Sequence, residues 1–432
     1  MIQRPEYLNQ LLAFKDRSLV KIVTGVRRCG KSTMLELYRA ELAKRGVLPE
    51  QMQSINLEDL ENEPLKDYKG LYDYISARLV KDRENYVFLD EAQVVPGFGK
   101  VVNSLFLKKN VDIYLTGSNS KMQSKDIANQ IEREYVTIHM LPLSFKEYFS
   151  AYPFPASPDA AYNSYLRYGS FPRVMGFMAE SPVEKAYGAD QDDSPEKGGI
   201  GANPQSGNFL DAKRLQPLVK TYLSDLYDKI VLKDIVESKG ISNTGRLESM
   251  IRFMADHIGS ETSINNISRT MTADGRKIDI HMVENFIDAF RDSFILYKAD
   301  RYDVKGKKML KTLGKYYLVD IGLRYLMLGD KPDDSGHILE NVVYLELLRR
   351  GYQVYVGKVG EKEVDFVAEG ANGTEYYQVS ETVRGAETLA RELAPLDAIR
   401  DHNPKILLTR DYDPPSSHNG IKQLNVLDWL LG

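Results

Sequence analysis

Residues 23–32 read VTGVRRCGKS; they follow the apolar run SLVKI (18–22) and lead into the amphipathic stretch KSTMLELYRAELAKRG (31–46). Gly25-Val-Arg-Arg-Cys-Gly30-Lys31-Ser32 satisfies the pattern G-x-x-x-x-G-K-[ST]. Glycines let a backbone wrap closely around a phosphate chain, and successive N–H groups at a helix start supply partial positive charge. Strand, loop and helix in that order predict a phosphate-binding loop. Its contacts come from Gly25, Val26, Arg27, Arg28, Cys29, Gly30, Lys31, Ser32 and Thr33. Lys31 is expected to reach the β- and γ-phosphates, and the Ser32 hydroxyl to bind Mg²⁺. Cys29 reads as a small loop filler, with no histidine nearby in sequence to make it a nucleophile.

About sixty residues on, YVFLDE (86–91) runs four apolar or aromatic positions into two acids. Asp90 at a strand end suits the metal, and Glu91 suits polarisation of an attacking water. YLTGSNS (114–120) ends a further strand in polar groups, where Ser118 or Asn119 can sense a terminal phosphate. Phosphoryl transfer builds charge that an arginine stabilises, and Arg27, Arg28 and Arg133 are the candidates.

Around this pair the first third of the chain alternates strand-like runs (SLVKIVTG, MQSINLED, NYVFLDE, VDIYLTGS, EYVTIHML) with helical spacing. That alternation predicts α/β architecture with a largely parallel sheet. Residues 182–211, rich in Gly, Pro, Ser, Asp and Asn, read as a flexible insert. Helical patterns resume from Leu215 to His257. Then SINNISRTM, a helix aligning Val283, Phe286, Ile287, Phe290 and Phe294 on one face, and a basic strand–turn–strand suggest a winged helix. From about His337 a small α/β pattern follows. The expected organisation is therefore a P-loop core over 1–150, a helical connector over 151–240, a winged helix over 241–335 and a terminal α/β domain over 336–432.

Bulk composition agrees with a globular chain: 43 % apolar and 27 % charged residues over 432 positions. No window holds the ~18 uninterrupted apolar residues of a membrane span, and the amino terminus lacks a secretory pattern. The single cysteine forms no internal disulfide, which fits a cytoplasmic location. Net charge is −4, so any nucleic-acid site must be a local patch. Residues 298–315 hold seven Lys/Arg against Asp300 and Asp303. Arg301, Lys305, Lys307, Lys308 and Lys311 are the expected phosphate contacts to DNA. The would-be recognition helix carries Glu284, Asp288 and Asp292 with Arg291 as its only arginine, which argues against sequence-specific readout.

With TGVRRCGKSTML, FLDE, LTGSNS, LPLSFKEY, YGSFP, KYYLVDIGLR, ILENVVYLELLRRGYQVYVGK, EVDFVA and YYQVS, the chain resembles a bacterial and archaeal family of predicted ATPases. Its members join an AAA-type P-loop domain to a carboxy-terminal domain of uncharacterised function. The resemblance implies ATP as nucleotide, Mg²⁺, hydrolysis of the β–γ bond, and a homo-oligomer in which Arg133 completes a neighbour's site. Glu132 stands where relatives usually carry glycine. GSFP is similar to the G-x-P motif of AAA and STAND-type ATPases, whose proline, here Pro172, lies near the adenine. The terminal domain resembles the restriction-endonuclease-like fold: Glu340 and Asp365 match its early acids, while Gln378-Val-Ser380 fills its Glu-x-Lys slots, implying an inactive scaffold. The expected activity is a DNA-handling motor acting on branched or damaged duplex. The alternatives are a STAND-like switch acting on a protein partner and a metal-dependent nuclease.

Overall fold

The computed structural model of the chain describes residues 1–118, 129–153, 156–180, 207–237, 240–241, 243–273, 275–276, 278–331 and 334–432. It divides into two compact units. The first comprises Met1–Pro142, Lys233–Ser242 and Glu284–Leu296, and the second comprises the remainder. No helix among the described residues is long and apolar enough to cross a membrane.

The first unit runs α1 (Pro5–Ala13), β1 (Val20–Thr24), α2 (Lys31–Lys44), β2 (Met52–Asn56), α3 (Tyr68–Ser76), β3 (Asn85–Asp90), α4 (Phe98–Phe106), β4 (Val111–Gly117) and β5 (Tyr135–His139). The five strands form one parallel sheet in the order β2-β3-β4-β1-β5. This is the P-loop NTPase fold. The strands β1, β3 and β4 are buried along their whole length, as parallel strands covered on both faces must be. On one face Val20, Ile22, Val87, Leu89, Ile113 and Leu115 pack against Leu71 and Ile75 of α3 and Val101, Val102 and Leu105 of α4.

The opposite face, under α2, is partly polar. Lys21 Nζ lies 2.5 Å from Asp112 Oδ1 and 2.8 Å from the Arg17 carbonyl. Tyr114 donates to Asp112 Oδ2 at 2.7 Å, and its hydroxyl lies 2.7 Å from that of Tyr38. A buried ammonium is tolerable here because its partners are buried with it.

The second unit contains helices and one eight-stranded sheet. Its strands are β6 (Leu296–Asp303), β7 (Lys308–Leu318), β8 (Gln353–Val359), β9 (Lys362–Gly370), β10 (Gly373–Ser380), β11 (Lys405–Thr409), β12 (Ser416–His418) and β13 (Ile421–Asn425). Their order is β12-β13-β11-β10-β9-β8-β6-β7. The basic hairpin read as a wing supplies β6 and β7. It joins the sheet through β6, whose Arg301, Tyr302 and Asp303 pair in parallel with Val356, Gly357 and Lys358 of β8. Val304 then enters a core with Val359, Val364 and Val367. The sheet thus contains strands from both sides of residue 336.

Residues 182–206 of the insert lie outside the described residues, whereas 207–211 open the helix Gly207–Asp228, which continues the periodicity of FLDAKRLQPLV. On the helix Ile280–Asp292, Val283, Phe286, Ile287 and Phe290 are buried, and Phe294 lies past its end at φ +60°.

Candidate functional site

The glycine-rich loop leaves the carboxyl end of β1. Gly25 has φ +149°, and a Cβ there would stand 2.1 Å from the Met140 carbonyl oxygen, so no side chain fits. Arg28 (φ +65°) and Gly30 (φ +104°) also take left-handed backbone, and Gly30 caps α2. The helix begins at Lys31, with Ser32 and Thr33 exposed in its first turn. Its first N–H groups have no partners within the helix.

Lys31 is buried. Its Nζ donates to the carbonyls of Gly25 at 3.1 Å and Val26 at 3.3 Å, and lies 3.8 Å from Glu91 Oε1. Glu91 therefore meets the loop, although β3 and β1 are not neighbours. The strand between them, β4, makes the connection. Thr116 donates its hydroxyl to Asp90 Oδ1 and accepts from the Glu91 amide at 2.9 Å. Two donors converge on Glu91 Oε2, Ser118 Oγ at 3.0 Å and Gln93 Nε2 at 2.5 Å. Glu91 itself sits at φ +54°, a left-handed conformation held at the point where strand becomes turn.

Three residues that sequence reasoning missed support the loop. Arg4, buried, donates to the Cys29 carbonyl at 3.0 Å, Leu141 at 2.9 Å and Pro142 at 3.1 Å. Cys29 is fully buried, and burial raises its thiol pKa. His139 pairs with Thr24 in the β1–β5 register, its Nδ1 3.3 Å from Thr24 Oγ1 and its ring centroid 4.9 Å from that of Phe294. Burial, aided by the Lys31 charge, pushes its imidazole down to about 4. Thr116 is the third. None of these carries a motif signal; each is brought in by strand pairing or by the amino-terminal segment folding back.

The remaining candidates are more scattered. Arg27 Nη1 lies 3.5 Å from Glu58 Oε1 at the surface, and Arg28 is exposed. Arg133 precedes β5 at the amino edge of the sheet. Since β5 and β1 run parallel from Tyr135↔Val20, it stands roughly 16 Å from the loop along a five-residue strand, outside that loop's own cluster. Asn119 and the Lys311 side chain lie outside the described residues. Pro172, in the second unit, opens the helix Pro172–Ala179. The preceding Gly169 (φ +81°) would put a Cβ 2.6 Å from Asp320 Oδ1, and Ser170 donates both N–H and hydroxyl to Asp320 Oδ2 at 2.6 Å. The motifs GSFP and VDIG thus interlock, with a Cβ on Gly322 only 2.6 Å from Gly169 Cα.

On the hairpin, Lys305, Lys307 and Lys308 are exposed, while Arg301 is ion-paired with Glu261 at 2.6 Å. The acids expected from the nuclease-like resemblance converge on a lysine. Lys315 Nζ, from β7, lies 3.0 Å from Glu340, 2.7 Å from Glu363 and 3.7 Å from Asp365. Burial opposes the lysine's charge, but the three carboxylates, Glu340 foremost, outweigh it and raise its pKa. Burial, then Glu340, raises that of Asp365. Gln378 Nε2 donates to Glu392 at 3.0 Å, and Ser380 donates to the Thr382 carbonyl at 3.1 Å. Among the described residues no group of three His, Cys, Asp or Glu is placed to hold a metal ion.

Two family models match the chain. Residues 17–149 match the family model described as an AAA domain, and residues 204–334 match one described as a domain of unknown function (DUF8612). An uncharacterized protein of Haemophilus influenzae is 36 % identical over 100 % of this chain and 99 % of its own length. One of Methanocaldococcus jannaschii is 25 % identical over 91 % of this chain and 82 % of its own. Among solved structures, AMPPCP-bound DnaA from Aquifex aeolicus aligns over 66 % of this chain and 86 % of that chain, at TM-score 0.31 and 12 % identity. The chain, with its amino-terminal AAA domain, belongs to the family of the Haemophilus influenzae protein.

Proposed function

We propose that the chain is a Mg²⁺-dependent ATPase that works as a cytoplasmic homo-oligomer and handles branched or damaged DNA. One observation carries the ATPase half: the loop lysine and the second acid of the pair meet, with Lys31 Nζ 3.8 Å from Glu91 Oε1. The residues fit a triphosphate and its metal. Gly25 and Gly30 carry the loop through positive-φ backbone into α2, whose first-turn N–H groups have no partners within the helix. Mg²⁺ prefers few carboxylates and several oxygens, which suits the exposed Ser32 hydroxyl with Asp90.

In this reading the backbone of 25–30 and the first turn through Thr33 bind the phosphates. Lys31 neutralises charge on the terminal phosphoryl, while Ser32 and Asp90 hold the metal, which supplies Lewis-acid polarisation when bound. Glu91 accepts a proton from the attacking water. Asn119 senses the terminal phosphate, and Arg133 serves a neighbouring subunit from the far end of β5.

Lys305 and Lys307, exposed on the turn between β6 and β7, and Lys308, exposed at the start of β7, support DNA binding through salt-sensitive phosphate contacts. Arg301 adds less, being paired with Glu261. A second reading, an ATP-dependent switch acting on a protein partner, is favoured by the acids Glu284, Asp288 and Asp292 on the helix that would otherwise enter a groove. A metal-dependent nuclease has the weakest support, because Glu340 and Asp365 already face an internal ammonium.

The deciding experiment measures ATP binding by calorimetry with Mg²⁺, then hydrolysis with single-stranded, duplex and four-way DNA at low salt. Stimulation by DNA is expected. Hydrolysis unchanged by every DNA form overturns the DNA reading, and an oligomer whose size follows ATP against ADP then favours the switch. No heat with ATP and Mg²⁺ overturns the ATPase reading itself.

A further inference from the structure

The two oxygens of the Glu91 carboxylate are held unequally. Oε2 accepts from Ser118 at 3.0 Å and from Gln93 Nε2 at 2.5 Å. Oε1 has the Lys31 ammonium at 3.8 Å, beyond hydrogen-bond reach, and that ammonium already donates to Gly25 and Val26. Gln93 spends its amide nitrogen on this contact, yet its own carbonyl oxygen is buried and accepts no hydrogen bond. Such an orphan acceptor is costly unless something donates to it. Turning the amide over gives no relief, since its oxygen would then face a carboxylate oxygen. Two acceptors, Glu91 Oε1 and Gln93 Oε1, are therefore left on side chains bonded to each other, the first of them 3.8 Å from Lys31 Nζ. Glu91 takes left-handed backbone and leads into the short 3₁₀ turn Ala92–Val94, which carries Gln93.

We propose that Gln93 positions the attacking water together with Glu91, an inference that rests on the ATPase reading above. A water has two hydrogens to place; one goes to Glu91 Oε1 and the other to Gln93 Oε1, which leaves a lone pair for phosphorus. The proton passes to Glu91 as the new O–P bond forms. The bond from the γ-phosphorus to the bridging oxygen breaks, and its electron pair leaves with ADP. Gln93 exchanges no proton and is a positioning residue. The same side chain, through Nε2, keeps the Glu91 carboxylate from rotating.

The test uses the full chain with Gln93→Leu, which keeps bulk and removes both polar atoms, and Gln93→Asn, which keeps the amide on a shorter arm. Calorimetry reads ATP affinity in the presence of Mg²⁺, and steady-state assays read kcat and KM. Gln93→Leu is expected to lower kcat about 100-fold, with ATP affinity and KM within about twofold of the parent, a split that a merely structural residue does not give. Gln93→Asn is expected to recover part of kcat, and it carries the test if the leucine variant fails to fold. A kcat within twofold of the parent in both variants overturns the proposal, as does loss of ATP affinity parallel to loss of kcat. If the parent chain itself neither binds nor hydrolyses ATP, the ATPase reading has failed instead.

Discussion

Thr116 holds both halves of the acidic pair, accepting from the Glu91 amide at 2.9 Å and donating its hydroxyl to Asp90. It does so from β4, the strand that separates the acids from the loop strand. Thr116→Val keeps the shape and removes both bonds, leaving a buried N–H without an acceptor. The expected loss of stability is about 1–3 kcal/mol in denaturant unfolding, with hydrolysis falling more than ATP affinity. An unchanged midpoint and unchanged turnover would remove Thr116 from this bracing role.

Lys31 and Glu91 face each other across 3.8 Å but are expected to fail differently. Lys31→Ala removes the cation for the phosphates, so calorimetry should register no ATP binding. Glu91→Gln keeps size and hydrogen bonding but cannot take a proton. Binding should persist while hydrolysis drops by about 10²–10⁴-fold. Equal loss of binding in both would mean Glu91 is structural.

His139 makes stability depend on acid. Its pKa lies near 4 in the folded chain against 6.5 in model peptides, so between these values the unfolded chain binds the extra proton. Stability is therefore full above about pH 6.5 and declines as pH falls towards 4, by about 3 kcal/mol at most. Unfolding by denaturant at steps across that window should show the slope, and His139→Gln should flatten it. A variant with the parental slope would clear the imidazole of this part.

Lys315 binds three carboxylates that are themselves buried or half-buried. Lys315→Met leaves them facing one another without a cation, at a cost of about 3–5 kcal/mol at neutral pH. Because Asp365 already holds its proton more tightly when folded, the cost should shrink as pH is lowered. Thermal unfolding of parent and variant at pH 5 and pH 8 tests the sign. A deficit that grows in acid contradicts it.

The loop and the acids were legible because their chemistry is written in consecutive residues, with an apolar strand before each. Gly25 announces itself for the same reason, since close backbone approach demands glycine whatever the partner. Arg4, Thr116 and His139 were not legible. They act through strand neighbours and a returning segment, and an arginine near a terminus or a threonine in a strand has many ordinary uses. Lys315 shows the same limit from the other direction. It belonged to a basic run read as a phosphate-facing surface, yet alternation along β7 turns it inwards to the acids of the helix Ser335–Arg349 and β9. GSFP was read through its proline, and nothing in the sequence tied it to VDIG; the close Gly169–Gly322 approach does.

The pairing of Arg301–Asp303 with Val356–Lys358 bears on how the chain can be dissected. A fragment expressed from residue 336 onwards would lose two of eight strands, bare the outer edge of β8 and strip Lys315 from its acids. Raw strand edges template aggregation. Such a fragment should precipitate where one beginning ahead of the hairpin stays dispersed, and failed expression of the shorter piece would say nothing about its chemistry.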